Sequence, residues 1–412
     1  MRFNTALLHG KRSSEKRTGA TMVPIYQSSA FEQESAGALE KVFLNKAPGF
    51  SYTRINNPTV AAFEERITLL EGGIATVACA SGMAAIFNGL MNILKSGDEI
   101  ISGSGIFGGT IGLFQDLKEF GIHTTYLKET TKEAVEAAIT DKTRVIFAET
   151  IGNPKLDVLD ISAVAQVAEK HRILFVVDNT VATAYLVNPL KLGAHIVINS
   201  SSKYINGSGN SISGVITDGG RFPWDFEKYT TLSDYRKMGP FAYTAKLRDT
   251  LFRNTGACLS PFNAYLNCIG LETMGLRMEK ACSNALALAN WFADCDEIVE
   301  VNYPGLEKSP YHETARRQFQ RGFGAMVTIR AGSKEKAFSI IDHLKYALKV
   351  SNIGDSKTLV IHPASTIYSH SSEEAKQNAG VYEDLIRISV GVEDVEDLIE
   401  DFQQALEWKE ET

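Results

Sequence analysis

The sequence predicts an α/β fold: a largely parallel sheet in a large domain, followed by a smaller C-terminal α+β domain. Two observations carry this. From about residue 74 to 220, short apolar strands alternate with helical segments, the rhythm of βαβ units. After Leu259-Ser260-Pro261-Phe262 the pattern changes to long helices and isolated strands.

In chain order, residues 1–55 read as irregular, with few periodic segments. Asn57-Pro58 opens a helix, because Asn caps it and Pro fits the first turn, while Val60, Phe63, Ile67 and Leu70 share one face. Gly72-Gly73 stops it. Three apolar strands then end at even intervals: Val145-Ile146-Phe147-Ala148-Glu149 runs into Gly152-Asn153-Pro154, Ile173-Leu174-Phe175-Val176-Val177 into Asp178-Asn179, and Ile196-Val197-Ile198-Asn199 into Ser200-Ser201-Ser202-Lys203. Residues 221–255 are polar and aromatic without a period, as in an elaborated loop or crossover. Further on, Leu385-Ile386-Arg387-Ile388-Ser389-Val390 alternates as a strand does. The last helix carries Val395, Leu398, Ile399, Phe402 and Leu406 on one face. The expected division is an N-terminal segment 1–55, a large domain 56–255 and a C-terminal domain 256–412.

Composition excludes several functions. A chain of 412 residues is long enough for two domains, and 44% hydrophobic with 22% charged residues is the balance of an ordinary soluble globule. A net charge of −7 gives no basic footprint for nucleic acid. The five cysteines are scattered, with no Cys-x-x-Cys, which points to free thiols and to neither a disulfide frame nor a zinc site. No histidine spacing suggests a metal. The N-terminus lacks the apolar core of a signal peptide and no run spans a membrane, so a cytoplasmic protein is expected.

In an open α/β sheet the carboxyl ends of parallel strands line one crevice, where ligands bind. Asn153, Asp178 and Lys203 therefore converge on one site. An amine, a carboxylate and neighbouring hydroxyls suit pyridoxal phosphate, which needs a lysine for its Schiff base and an acid to keep its ring nitrogen protonated. Ser81-Gly82-Met83 precedes an apolar helix whose free N–H groups suit a phosphate, although Ser81 alone reads as a plain cap. Tyr52 and Arg54 share a loop, and Arg offers a fork for phosphate or carboxylate. Arg387, on an apolar strand, either pairs structurally or awaits a carboxylate ligand. A competing reading comes from Gly103-Ser104-Gly105-Ile106-Phe107-Gly108, a Gly-x-Gly-x-x-Gly after a strand-like segment, with Glu129 placed as a dinucleotide-binding acid would be. That reading predicts a nicotinamide or flavin enzyme, but leaves Lys203 and the serines unexplained.

Together, Tyr52-Thr53-Arg54, Asn57-Pro58-Thr59, Val177-Asp178-Asn179-Thr180, Ser200-Ser201-Ser202-Lys203, Leu259-Ser260-Pro261-Phe262-Asn263-Ala264 and Leu385-Ile386-Arg387-Ile388-Ser389-Val390-Gly391 resemble the pyridoxal-phosphate enzymes of cysteine and methionine metabolism. Phe222-Pro223-Trp224 and the stretch from Asn352 to Thr366 are most similar to the O-acetylhomoserine sulfhydrylases of that family. The resemblance implies pyridoxal-phosphate fold type I, like aspartate aminotransferase. It implies replacement of acetate by a sulfur nucleophile to give homocysteine in methionine biosynthesis. Cystathionine γ-synthase or a methionine γ-lyase-type activity is the alternative within the family.

By the same resemblance Lys203 forms the Schiff base, Asp178 pairs with the ring nitrogen and Asn153 contacts the ring hydroxyl. Gly82, Met83, Ser200 and Ser202 hold the phosphate. Tyr52 and Arg54 reach the phosphate of a neighbouring subunit, implying catalytic dimers assembled into a homotetramer. Arg387, helped by Asn352, binds the substrate carboxylate. The sulfur donor is left open among sulfide, a thiol and a sulfur-carrier protein. Three positions depart from the family pattern. The ring-stacking residue is Phe107 where Tyr is usual, Gly109 replaces the cysteine of methionine γ-lyases, and Ser208 and Asn210 replace the usual residues after the lysine. Losing the phenol and the cysteine points to an activated O-acyl substrate, since acetate leaves with little help.

Overall fold

The computed structural model describes residues 1–10 and 19–408. Parts of the expected N-terminal segment (11–18) and of the C-terminal domain (409–412) lie outside the described residues.

The larger sheet comprises β1 (Ala75–Cys79), β2 (Glu99–Ser102), β3 (His123–Tyr126), β4 (Thr143–Glu149), β5 (Leu174–Asp178), β6 (Ile196–Asn199) and β7 (Gly214–Asp218). Their spatial order is β1-β7-β6-β5-β4-β2-β3. Strands β3, β2, β4, β5 and β6 run parallel, and β7 is antiparallel to both β6 and β1. The apolar runs are continuous because both faces are covered. Ile146, Phe175 and Val177 enter one core, while Val145, Phe147, Leu174 and Val176 enter the other.

The second sheet comprises β8 (Glu300–Asn302), β9 (Met326–Arg330), β10 (Leu348–Lys349), β11 (Leu359–Ile361) and β12 (Leu385–Ser389), in the order β10-β11-β12-β9-β8. Its pairs are antiparallel except β10 with β11. Ile386 and Ile388 of β12 join the core that Leu398 and Phe402 of the last helix, Val395–Glu407, complete. A helix of 33 residues, Pro261–Ala293, fastens the two sheets together. Its first half buries Ala264, Cys268 and Leu271 against the large core, and its end buries Leu288 and Phe292 in the C-terminal one.

The helix expected at Asn57 runs Pro58–Glu71, with the Asn57 side chain accepting from the Thr59 N–H and Gly72 left-handed at φ 71°. Two stretches read as irregular are helical. Residues 1–55 contain the helices Phe3–His9 and Ala36–Phe43. The first is too short for local propensity and is held by burial of Leu7 and by Phe3 edge-on to Tyr185 at 5.5 Å. Residues 221–255 contain helical turns at Thr230–Phe241 and Ala242–Leu247. Their anchor is aromatic packing, not periodicity: Trp224 stacks on Tyr243 at 5.9 Å and meets Phe222 at 4.7 Å.

Candidate active site

The carboxyl ends of β4, β5 and β6 open onto a cavity of about 260 Å³. Its wall brings together Gly82, Met83, Phe107, Asn153, Asp178, Ser200, Ser202, Lys203, Asn352 and Arg387. Ten of the twelve residues picked out from the sequence thus meet at one place. Tyr52 and Arg54 do not line it. They lie on the exposed surface, Arg54 Cζ sits 5.4 Å from the centre of the Tyr52 ring, and Arg54 donates to the Arg253 carbonyl at 2.5 Å.

Lys203 follows β6 in a turn packed from outside by the C-terminal domain. A Cβ on Gly354, which is left-handed at φ 74°, would lie 2.5 Å from the Tyr204 nitrogen, so only glycine permits this approach. Arg277 of the long helix donates to the carbonyls of Tyr204 at 2.8 Å and Ile205 at 3.2 Å, clamping the turn just beyond the lysine. Lys203 Nζ donates to Asn352 Oδ1 at 2.5 Å. Burial, then the nearby Arg387 guanidinium, lowers the amine below its ordinary value. A neutral amine is what a nucleophilic or proton-moving lysine requires.

Asp178 ends β5, and its Oδ1 accepts from the Thr180 N–H at 2.9 Å. Burial raises its carboxyl to about 6, against the opposing pull of the Thr180 hydrogen bonds. A cationic ring nitrogen would reverse that. On the opposite wall, Ser81 caps the helix Gly82–Met91 by accepting from the Ala84 N–H. The Gly82 and Met83 amides precede the first intrahelical bond, and both residues line the cavity. A Cβ at Gly82 would lie 2.7 Å from Ser200 Cβ, so the helix end and the serine turn form a tight cradle. Thr180 Oγ1 accepts from the Ser200 N–H at 2.8 Å. The Ser202 hydroxyl, expected at the phosphate, here donates its proton to the Ser213 carbonyl at 3.0 Å and accepts from the Ser213 N–H at 2.8 Å, so it braces the serine turn.

Arg387 on β12 is 3% exposed. It donates to Asn153 Oδ1 at 3.0 Å and to the Asn352 carbonyl at 2.9 Å, and its Nε has no partner among the described residues. Burial brings it down to about 10. Among the described residues no carboxylate pairs with it, so its buried charge has no ionic partner within them.

The glycine-rich loop does not seat a dinucleotide. Gly105 is left-handed at φ 65°, and a Cβ there would lie 2.2 Å from Asp157 Oδ1. Gly103 packs the loop against Thr130 and Ala148 and Gly105 against Asp157, while Phe107 lines the cavity. A phosphate at the helix that follows, Gly108–Leu117, would meet the Glu149 carboxyl, whose Oε1 already accepts the Phe107 N–H at 2.6 Å. Glu149, Thr180 and Arg277 had no assigned role from sequence. Glu149 was foreshadowed only by standing at a strand end like Asp178.

These residues fit pyridoxal phosphate: a bare helix end and a serine for the phosphate, an acid for the ring nitrogen, a lysine for the aldehyde. A sequence model of the family described as Cys/Met metabolism PLP-dependent enzyme matches residues 4–407. The O-acetyl-L-homoserine sulfhydrylase of Corynebacterium glutamicum is 38% identical over 418 residues, covering 97% of this chain and 96% of that one. Sulfhydrylase FUB7 of Fusarium oxysporum is 39% identical over 98% of this chain and 97% of its own. A crystal structure described as an O-acetylhomoserine (thiol)-lyase of Campylobacter jejuni superposes with a TM-score of 0.94 at 35% identity, covering 99% of this chain and 100% of that one. That structure carries an N'-pyridoxyl-lysine-5'-monophosphate at its position 205.

Proposed function

The chain belongs to the Cys/Met metabolism PLP-dependent enzyme family, and on that premise we propose that it is an O-acetylhomoserine sulfhydrylase, an aminocarboxypropyltransferase that makes homocysteine for methionine biosynthesis. The observation that carries the reading is Arg387, a buried guanidinium that pairs with no carboxylate among the described residues and lines one cavity with Lys203 and Asp178. An amino-acid carboxylate supplies the missing charge and brings the substrate to the lysine.

Pyridoxal phosphate bound here supplies an electron sink for bond breaking at the substrate Cα. Lys203 would hold it, with Asp178 for the ring nitrogen and Phe107 for the ring face. The Gly82 and Met83 amides with Ser200 would take the phosphate, and Ser202 shapes their turn. Asn153 Oδ1 and the Asn352 carbonyl orient Arg387, whose fork would receive the α-carboxylate, and the Asn153 amide would contact the ring hydroxyl. Lys203 Nζ takes the proton from Cα, gives it up again, and as a neutral amine once more takes one from Cβ. Acetate departs from Cγ with the C–O bond pair, a deprotonated sulfur nucleophile adds at Cγ, and protons returned to Cβ and then Cα through the same amine complete the product. Phe107 has no proton to give a leaving group. Its presence supports an ester whose acetate leaves unaided, in place of a thiol or hydroxyl.

Tyr52 and Arg54 act on a neighbouring subunit's cavity, so a dimer is the working unit, and two dimers form a tetramer. Their exposure and absence from their own cavity support this. Five free thiols suit a reducing, cytoplasmic setting. The deciding experiment is homocysteine formation by the cofactor-loaded protein from O-acetylhomoserine and sulfide. Turnover is expected with sulfide or methanethiol and absent with methionine alone. Preference for O-succinylhomoserine with cysteine, or cleavage of methionine, moves the protein to the synthase or lyase branch.

A further inference from the structure

Two acids stand at the floor of the cavity, and the reaction described above uses only one. Glu149 and Asp178 are register partners at the ends of the parallel strands β4 and β5. Register partners on neighbouring strands lie about 5 Å apart at their Cα atoms and point to the same side of the sheet. Both side chains are 8% exposed, and both line the cavity.

The groups around Glu149 offer it no matching cation. Asp178 faces it from β5, Asp157 from the loop beyond Asn153, and Tyr368 from the C-terminal domain. Arg387 is reserved for a substrate carboxylate, and among the described residues no lysine or arginine pairs with Glu149. One cationic ring nitrogen balances one carboxylate, and two buried carboxylates side by side cannot both stay ionised.

Glu149 also does something mechanical. Phe107 is the cap residue of the helix Gly108–Leu117 and has no side chain able to cap it. Glu149, from another strand, instead holds the cap residue itself by accepting the Phe107 N–H at 2.6 Å. The ring that closes the cavity is thereby tied to the same strand end that flanks Asp178.

We propose that Glu149 is a positioning residue that works as a neutral acid, fixing Phe107 over the cofactor ring while leaving the single negative charge of the pair on Asp178. Burial first, and the Asp178 charge second, push the Glu149 carboxyl well above its ordinary value, in the same direction. The inference rests on the sulfhydrylase reading for its reaction. Its protonation state is read without turnover.

The test compares Glu149→Gln and Glu149→Ala in the cofactor-loaded enzyme. Gln is neutral and keeps an oxygen for the Phe107 N–H. It should hold cofactor affinity, the pH midpoint of cofactor absorbance and kcat/KM within a few-fold of the parent. Ala removes the tether and should lower kcat/KM by about 10²-fold, the scale for a reacting group displaced by about 1 Å. An infrared difference spectrum between parent and Glu149→Gln should show a protonated-carboxyl band lost in the variant at neutral pH. That band is independent of substrate, so it separates failure here from failure of the sulfhydrylase assignment. Its absence, or a tenfold change in cofactor affinity in Glu149→Gln, overturns the neutral acid. Parent-like kcat/KM in Glu149→Ala overturns the positioning role. If Glu149→Ala does not fold, Glu149→Leu, which fills the same space without an acceptor, takes its place.

Discussion

Lys203 Nζ donates to the side-chain oxygen of Asn352 at 2.5 Å, while the backbone carbonyl of that asparagine accepts from Arg387 at 2.9 Å. One residue of the C-terminal domain thus sets both the amine and the guanidinium, although β6 and β12 belong to different sheets. Asn352→Ala removes the contact to the amine and leaves the carbonyl. It should lower kcat/KM for O-acetylhomoserine by about 10–10²-fold while the thermal midpoint stays near that of the parent. Steady-state kinetics with a melting curve checks both, and unchanged kinetics would mean that the lysine needs no such anchor.

Arg387 separates binding from stability. Arg387→Met deletes the fork, so KM for the amino-acid substrate should rise by about 10²-fold or more, from the loss of about 2–5 kcal/mol at a buried charge pair. The same change removes a buried cation that no carboxylate among the described residues pairs with, and Met fills similar space. The ligand-free variant should therefore melt no lower than the parent. A lower KM, or a large fall in melting temperature, contradicts this account.

How much of this was legible follows from where each interaction originates. Lys203, Asp178 and Asn153 could be read because each stands at or just beyond the end of a parallel strand, and topology alone gathers strand ends at one edge. The even intervals of the βαβ rhythm carried that information without any contact being known. Arg277 could not be read, since its carbonyl partners lie 73 and 72 residues away and nothing in a long helix marks one arginine as a clamp. The helix Phe3–His9 was missed because tertiary packing of Leu7 supplies what its length does not. The glycine-rich loop misled for a related reason. Its glycines answer to close neighbours such as Asp157, and a spacing pattern cannot tell a crowding side chain from a phosphate.

Glu71 gives a pH signature away from the cavity. It is 2% exposed, its Oε1 accepts from Asn199 at 2.9 Å, and its Oε2 has no partner among the described residues. Burial raises its carboxyl from 4.5 to about 7, against the hydrogen bonds from Asn199 and Asn179. Between those values the folded chain holds a proton that the unfolded chain has released, so stability falls as pH rises through this window. Glu71→Gln stays neutral throughout. It should match the parent below pH 4.5 and exceed it by up to about 3 kcal/mol at pH 8. Denaturant titrations at the two ends of the range test this, and a constant difference between them rejects it.

Gly82 tests the cradle. A Cβ there would lie 2.7 Å from Ser200 Cβ and 2.9 Å from its hydroxyl oxygen, so Gly82→Ala must part the helix end from the serine turn. Overpacking of this kind costs about 1–3 kcal/mol. Part of that falls on the phosphate site, and cofactor affinity should drop by about tenfold or more. Fluorescence titration of the apoprotein with pyridoxal phosphate measures it. Affinity equal to the parent's would show that the phosphate is held elsewhere.

Tyr52 and Arg54 have exposed side chains that stand apart from their own cavity. If they complete a neighbour's site, two defective chains can restore one another. Lys203→Ala chains lack the amine but still offer a sound Arg54, whereas Arg54→Ala chains offer the reverse. In a mixed dimer one cavity carries both defects and the other carries neither. Separately purified, each variant should have little activity, and co-refolding or co-expression should recover a substantial share of it. The recovered activity should follow the mixed species, isolated by two different affinity tags, and show the parent's KM. Recovery cannot occur if Arg54 serves its own chain, because every cavity would then keep one defect.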